Sequence, residues 1–105
     1  MKNESMIDAC LACFAVCEMC ATECIKLLKE DHLRCIALCR DCADVCALCL
    51  KFEERGSEFN HHIMRLSADV CSACAEECEK FASQHSHCRE CATACRECAK
   101  ECMAY

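Results

Sequence analysis

Eighteen of the 105 residues are cysteine, and they fall in four clusters. Cys10, Cys13, Cys17, Cys20 and Cys24 form the first, and Cys35, Cys39, Cys42, Cys46 and Cys49 the second. Cys71, Cys74 and Cys78 form a shorter third, and Cys88, Cys91, Cys95, Cys98 and Cys102 the fourth. A thiol can pack as a small hydrophobe, form a disulfide, or ionise to a soft metal ligand. Within each cluster the steps alternate between three and four residues. That spacing keeps every sulfur on one stripe of an α-helix, whereas a strand would scatter them over both faces.

The elements that must carry these stripes are helices. The chain has no proline, one glycine and five aromatic residues, too little turn and β chemistry for a sheet. The pattern predicts helices over 6–29, 32–54, 58–82 and 87–103. Ser5, Asp31, Ser57 and Ser86 are the expected N-caps, with Asp8 three residues after Ser5, and Gly56 the expected C-terminal stop. Short connections make successive helices antiparallel neighbours. The expected fold is therefore all-α: one domain over 1–105, an up-down-up-down four-helix bundle with a Cys-lined core. A second apolar stripe runs through Ile7, Leu11 and Phe14, through Leu38, Val45, Leu48 and Phe52, and through Ile63, Leu66 and Val70. It either widens the core or buries a subunit interface.

The formal charge of −6 argues against nucleic acid and anionic membrane surfaces as partners. The opening "MKNESMIDAC" has no apolar run of a signal peptide, and no stretch reaches the roughly 18 continuous apolar residues of a membrane span. The expectation is a cytoplasmic protein with reduced thiols. So small a chain buries little apolar surface, which favours association.

A core of thiols sacrifices packing, since leucine gains roughly 0.8 kcal/mol for each buried CH₂. Disulfides within a helix strain the required geometry and do not suit a reducing compartment. Iron–sulfur ferredoxins use steps of three and three, which are absent. Zinc with four thiolates carries a net −2 per site, costly when several are buried together. Cu(I) accepts two thiolates and can be shared, giving one metal per sulfur. Such a core is neutral when every sulfur holds a proton and neutral again when every sulfur holds Cu(I). Multiple Cu(I) ions bound by all eighteen cysteines are thus the favoured cargo. Zinc or mixed-metal sequestration and a thiol/disulfide redox buffer are the alternatives. No nucleophile–base arrangement or phosphate-binding loop stands out, so no enzyme is expected.

The segments "CSACAEECEKF" (71–81) and "HSHCRECATACRECAKEC" (85–102), with the clusters at 10–24 and 35–49, resemble the bacterial copper storage proteins of the cytosolic type. That resemblance implies Cu(I) storage, a homotetramer and a supply of copper ions, delivered by a copper chaperone. It also implies that histidines near the helix 1–2 and helix 3–4 turns, here His32, His85 and His87, line the mouth where metal enters. Leu27, Leu28 and Phe81 lie near the same end and would narrow it. At the other end Met6 and Met64 extend the cysteine stripes, and the expectation there is an apolar plug. His61 and His62 are expected in solvent, as are Glu76, Glu77, Arg96 and Lys100.

Overall fold

The computed structural model describes residues 4–105, and all of its regular structure is helical. Helix α1 spans Glu4–Leu27, α2 Leu33–Arg55, α3 Asn60–Glu79 and α4 Ser86–Met103, with a 3₁₀ turn at Glu30–His32 before α2. Each helix packs on the next, and α1 closes the ring against α4. The result is the antiparallel bundle expected from the short connections, measuring 41 × 18 × 18 Å.

The cysteine stripes face inward on all four helices, and no cysteine is more than 4% exposed. Ala21, Ala43, Ala68, Ala75, Ala92 and Ala99 are buried beside them. These small side chains let the helices approach closely, so short thiols fill most of the axis. Ile7, Leu38, Ile63 and Val70 pack against this core from the side. Leu11, Phe14, Leu48 and Leu66 remain exposed, so the second stripe divides between the two readings given for it.

Helix boundaries depart from the expected caps. Ser5 lies inside α1, Asp31 lies inside the 3₁₀ turn, and α4 begins at Ser86 itself. His85, at the N-cap of α4, makes no side-chain cap. Ser57 Oγ accepts a bond from the Phe59 N–H at 3.1 Å, one turn before α3 begins at Asn60. The C-terminal stop is as expected. Gly56 adopts φ 63°, its N–H donates to the Glu53 carbonyl at 3.1 Å, and the Ser57 N–H donates to the Phe52 carbonyl at 3.0 Å. This is the left-handed termination that glycine favours. Leu28 ends α1 with φ 54° despite its side chain, which is 90% exposed.

By length and composition α1 could cross a membrane. Its cysteine stripe faces the other three helices.

Candidate metal centre

The sulfurs form one connected column along the bundle. At the end where α1 begins, Cys10 Sγ lies 3.7 Å from Cys98 and 4.0 Å from Cys102, and Cys98 lies 3.8 Å from Cys46. In the middle, Cys42 Sγ is 3.3 Å from Cys71 and 3.5 Å from Cys13, linking three helices at one level. Cys17 bridges to Cys91 at 3.7 Å and Cys95 at 3.6 Å. Further along, Cys39 meets Cys74 at 3.8 Å and Cys91 at 3.8 Å, and Cys35 meets Cys78 at 3.6 Å. Cys24 closes the column against Cys88 at 3.9 Å.

Several quartets bring four sulfurs within 4.8 Å of one another, including Cys13, Cys42, Cys46 and Cys71, and Cys20, Cys24, Cys35 and Cys88. Neighbouring quartets share members, as Cys20 and Cys35 belong also to the group with Cys39 and Cys78. Such overlap suits metals that share ligands. All eighteen cysteines are free thiols.

Burial sets their protonation. Desolvation pushes the Cys88 thiol up to about 12, with help from Cys20 and Cys35 as neighbouring charges. Cys24 is raised for the same reasons. In the interior the thiols act on one another. Hydrogen bonding between Cys13 and Cys17 lowers the first and raises the second, because one sulfur ionises more readily when its neighbour keeps its proton.

The two ends differ. At the Cys24 end, His87 Nε2 lies 3.5 Å from Cys24 Sγ, and its ring stacks on His85 with centroids 5.3 Å apart. Both histidines are half-buried. His32 sits deeper than the expected rim position, 1% exposed, with its Nδ1 unpartnered. The loop ring of Phe81 covers it. Phe81 therefore narrows this end as expected, whereas Leu28 projects into solvent and does not.

At the other end the expected plug is present. Met6 and Met64 are 3% and 1% exposed, and Met6 Sδ accepts from Cys10 Sγ at 3.6 Å. Ser67 occupies the stripe position four before Cys71, fully buried, with Oγ 3.5 Å from Cys102 Sγ and 3.7 Å from Cys71 Sγ. Below it, Tyr105 and Asn60 clasp the helix ends. The Tyr105 hydroxyl donates to Glu53 Oε1 at 3.0 Å, and Asn60 Nδ2 donates to both, at 3.0 Å to the phenol and 3.2 Å to the carboxylate. No periodic signal announces this clasp, since Tyr105 reaches Asn60 and Glu53 from 45 and 52 residues away.

His61 and His62 are exposed, as are Glu76, Arg96 and Lys100. Glu77 is the exception to the expected solvated face. It is buried between α2 and α3, accepting from Arg34 Nη1 at 2.7 Å and Lys80 Nζ at 2.9 Å. Lys80, then Arg34, hold its carboxyl below the usual range against the cost of burial.

A four-helix bundle whose axis is a continuous column of buried thiols defines a class of proteins built to hold soft metal ions. Comparison with known proteins gives the particular family. The family model for copper storage proteins matches residues 1–105, and this chain belongs to that family. It is 44% identical over 103 residues to the cysteine-rich protein YhjQ of Bacillus subtilis (strain 168), covering 97% of this chain and 94% of the relative. The Cu(I)-bound copper storage protein BsCsp3 superposes with a TM-score of 0.92 at 42% identity, over 99% of this chain and 97% of that one. A cytosolic copper storage protein from Streptomyces lividans, loaded with five coppers, superposes with a TM-score of 0.88 at 36% identity. That match covers 97% of this chain and 92% of the Streptomyces chain.

Proposed function

We propose that this chain is a cytoplasmic Cu(I) store that holds many ions on its eighteen core thiolates. The observation that carries the reading is the unbroken column of sulfurs, none more than 4% exposed. Each proton displaced by Cu(I) leaves the interior neutral, so the bundle is stable both empty and full. Zinc would bury surplus negative charge in proportion to loading. A redox buffer would need thiols that reach oxidants, which these do not. The role is storage rather than catalysis.

Metal enters at the Cys24 end in this reading. His85 and His87 form a neutral soft-donor path from the surface to Cys24, and His32 stands behind Phe81 as the next imidazole inward. A copper chaperone is the expected donor. The exposed Leu11, Phe14, Leu48 and Leu66 support a homo-oligomer, a tetramer by family resemblance.

Anaerobic titration of fully reduced protein with Cu(I), in competition with a chelator, tests the function. The expected endpoint approaches one Cu(I) per cysteine. Saturation at a few ions per chain, or displacement of Cu(I) by Zn(II), overturns it.

A further inference from the structure

We infer that Met6 is a Cu(I) ligand, the neutral sulfur that completes the innermost metal site with Cys10, Cys98 and Cys102. The inference rests on the storage reading above. Three of these sulfurs form a triangle, with Cys10–Cys98 at 3.7 Å and Cys10–Cys102 and Cys98–Cys102 each at 4.0 Å. The Met6 thioether lies 3.6 Å from Cys10 Sγ, on the side away from the rest of the column.

The end of a metal–thiolate column poses a problem that its middle does not. An interior sulfur has metals on both sides, whereas a terminal metal has sulfurs on one side only. An added thiolate there would leave an uncompensated buried charge. A thioether supplies a soft donor without charge. Helix α3 supplies no thiol from its stripe at this level, because Ser67 stands there with its hydroxyl 3.5 Å from Cys102. Oxygen is a poor donor for Cu(I), and Cys49 of α2, which borders Cys10 and Cys102, is the last thiol at this end, so a further soft donor beyond it can only be a thioether. Met6 is 3% exposed, and the Cys10 thiol is the polar contact made to its sulfur. The arrangement mirrors the opposite end, where His87 Nε2 stands 3.5 Å from Cys24 Sγ. One neutral donor thus caps each end of the first helix's stripe.

The test is selenium K-edge X-ray absorption on the full chain, labelled with selenomethionine and loaded anaerobically with Cu(I), beside Met6→Leu and Met64→Leu variants. Leucine conserves volume, so both variants should fold. The expected result is a copper neighbour to selenium in the parent, retained in Met64→Leu and lost in Met6→Leu. Met6→Leu should also bind about one Cu(I) fewer per chain, by the loss of one terminal site. A loaded protein with no copper near selenium overturns this inference alone, as does a copper signal that survives in Met6→Leu. A parent chain that takes up no more than a few Cu(I) ions overturns the storage reading and this inference with it.

Discussion

The imidazole of His32 lies against the ring of Phe81, centroids 3.9 Å apart and planes 26° from parallel. His85 meets His32 edge-on, with centroids 5.4 Å apart. The stack covers the Cys24 end of the bundle, the end we propose for metal entry. Phe81 lies just beyond α3, in the connection to α4, where a side chain can move without disturbing the thiol column.

Removing that ring should therefore speed loading. Phe81→Ala is expected to raise the rate of Cu(I) uptake, followed by the growth of thiolate-to-copper ultraviolet absorption in stopped flow, with the final capacity unchanged. The same variant should lose about 3 kcal/mol of stability, as large aromatic truncations do. Uptake at the parent rate would place the way in elsewhere.

Loading should release protons. Cys24 and Cys88 are pushed above the ordinary thiol range, Cys88 to about 12, so both keep their protons at neutral pH. Titration of weakly buffered apo-protein at pH 7 should give about one proton per Cu(I) bound. At Cys24 and Cys88, folded apo-protein keeps protons that unfolded chains release between roughly pH 8.5 and the folded value. Apo stability should accordingly fall as pH rises through that window, and bound Cu(I) should abolish the fall. Denaturant melts at pH 7 and pH 10, with and without metal, measure both effects.

Glu77 gives a dependence of opposite sign. Its carboxyl is held low by Lys80 and Arg34, so its contribution is complete above the ordinary carboxylate range and disappears as pH falls through the lowered value. Glu77→Gln should cost about 1–2 kcal/mol at pH 7, since the hydrogen bonds are charge-assisted and the carboxylate is buried. The difference from the parent should vanish in acid, measured by urea melts at pH 7 and pH 3.

Leu28 offers a gain. Its left-handed backbone at φ 54° carries a strain of about 1 kcal/mol for a side chain that is 90% exposed and packs on little. Leu28→Gly should raise the melting temperature. An unchanged or lower value would mean that Leu28 is covered in the assembled protein.

Phe14→Glu tests that assembly directly. Phe14 and Leu11 lie one turn apart on the exposed face of α1. Sedimentation should report an oligomer for the parent and smaller species for the variant, with Cu(I) capacity per chain retained because the core is untouched.

Much of this architecture was legible in the spacing of cysteine alone. A three–four alternation admits one solution, a helix with a single sulfur stripe, and four stripes joined by short turns admit few arrangements. The ends were harder to read. Ser5 and Asp31 look like caps in sequence, yet α1 extends past Ser5 to Glu4 and a 3₁₀ turn absorbs Asp31. His32 was legible as an end residue, but not as one sealed beneath Phe81, because loop packing carries no periodic signal. Glu77 stood among exposed acids and turned inward, since its position on α3 faces Arg34 of the neighbouring helix. Ser67 was visible as the place where cysteine gives way on α3. That its hydroxyl stays in the column, bonded to Cys102, depends on the partner helix.

The bundle is 41 Å long and 18 Å across in both other directions, with its sulfurs strung along the long axis. Its calibre is set along most of the axis by cysteine, with alanine beside it, so volume can grow in one dimension only. Inserting one heptad in every helix would lengthen the rod by about 10 Å and add about eight sulfurs, with no new kind of contact required. The molecule is in this sense a ruler, on which the number of residues per helix is the gauge of how much it can carry.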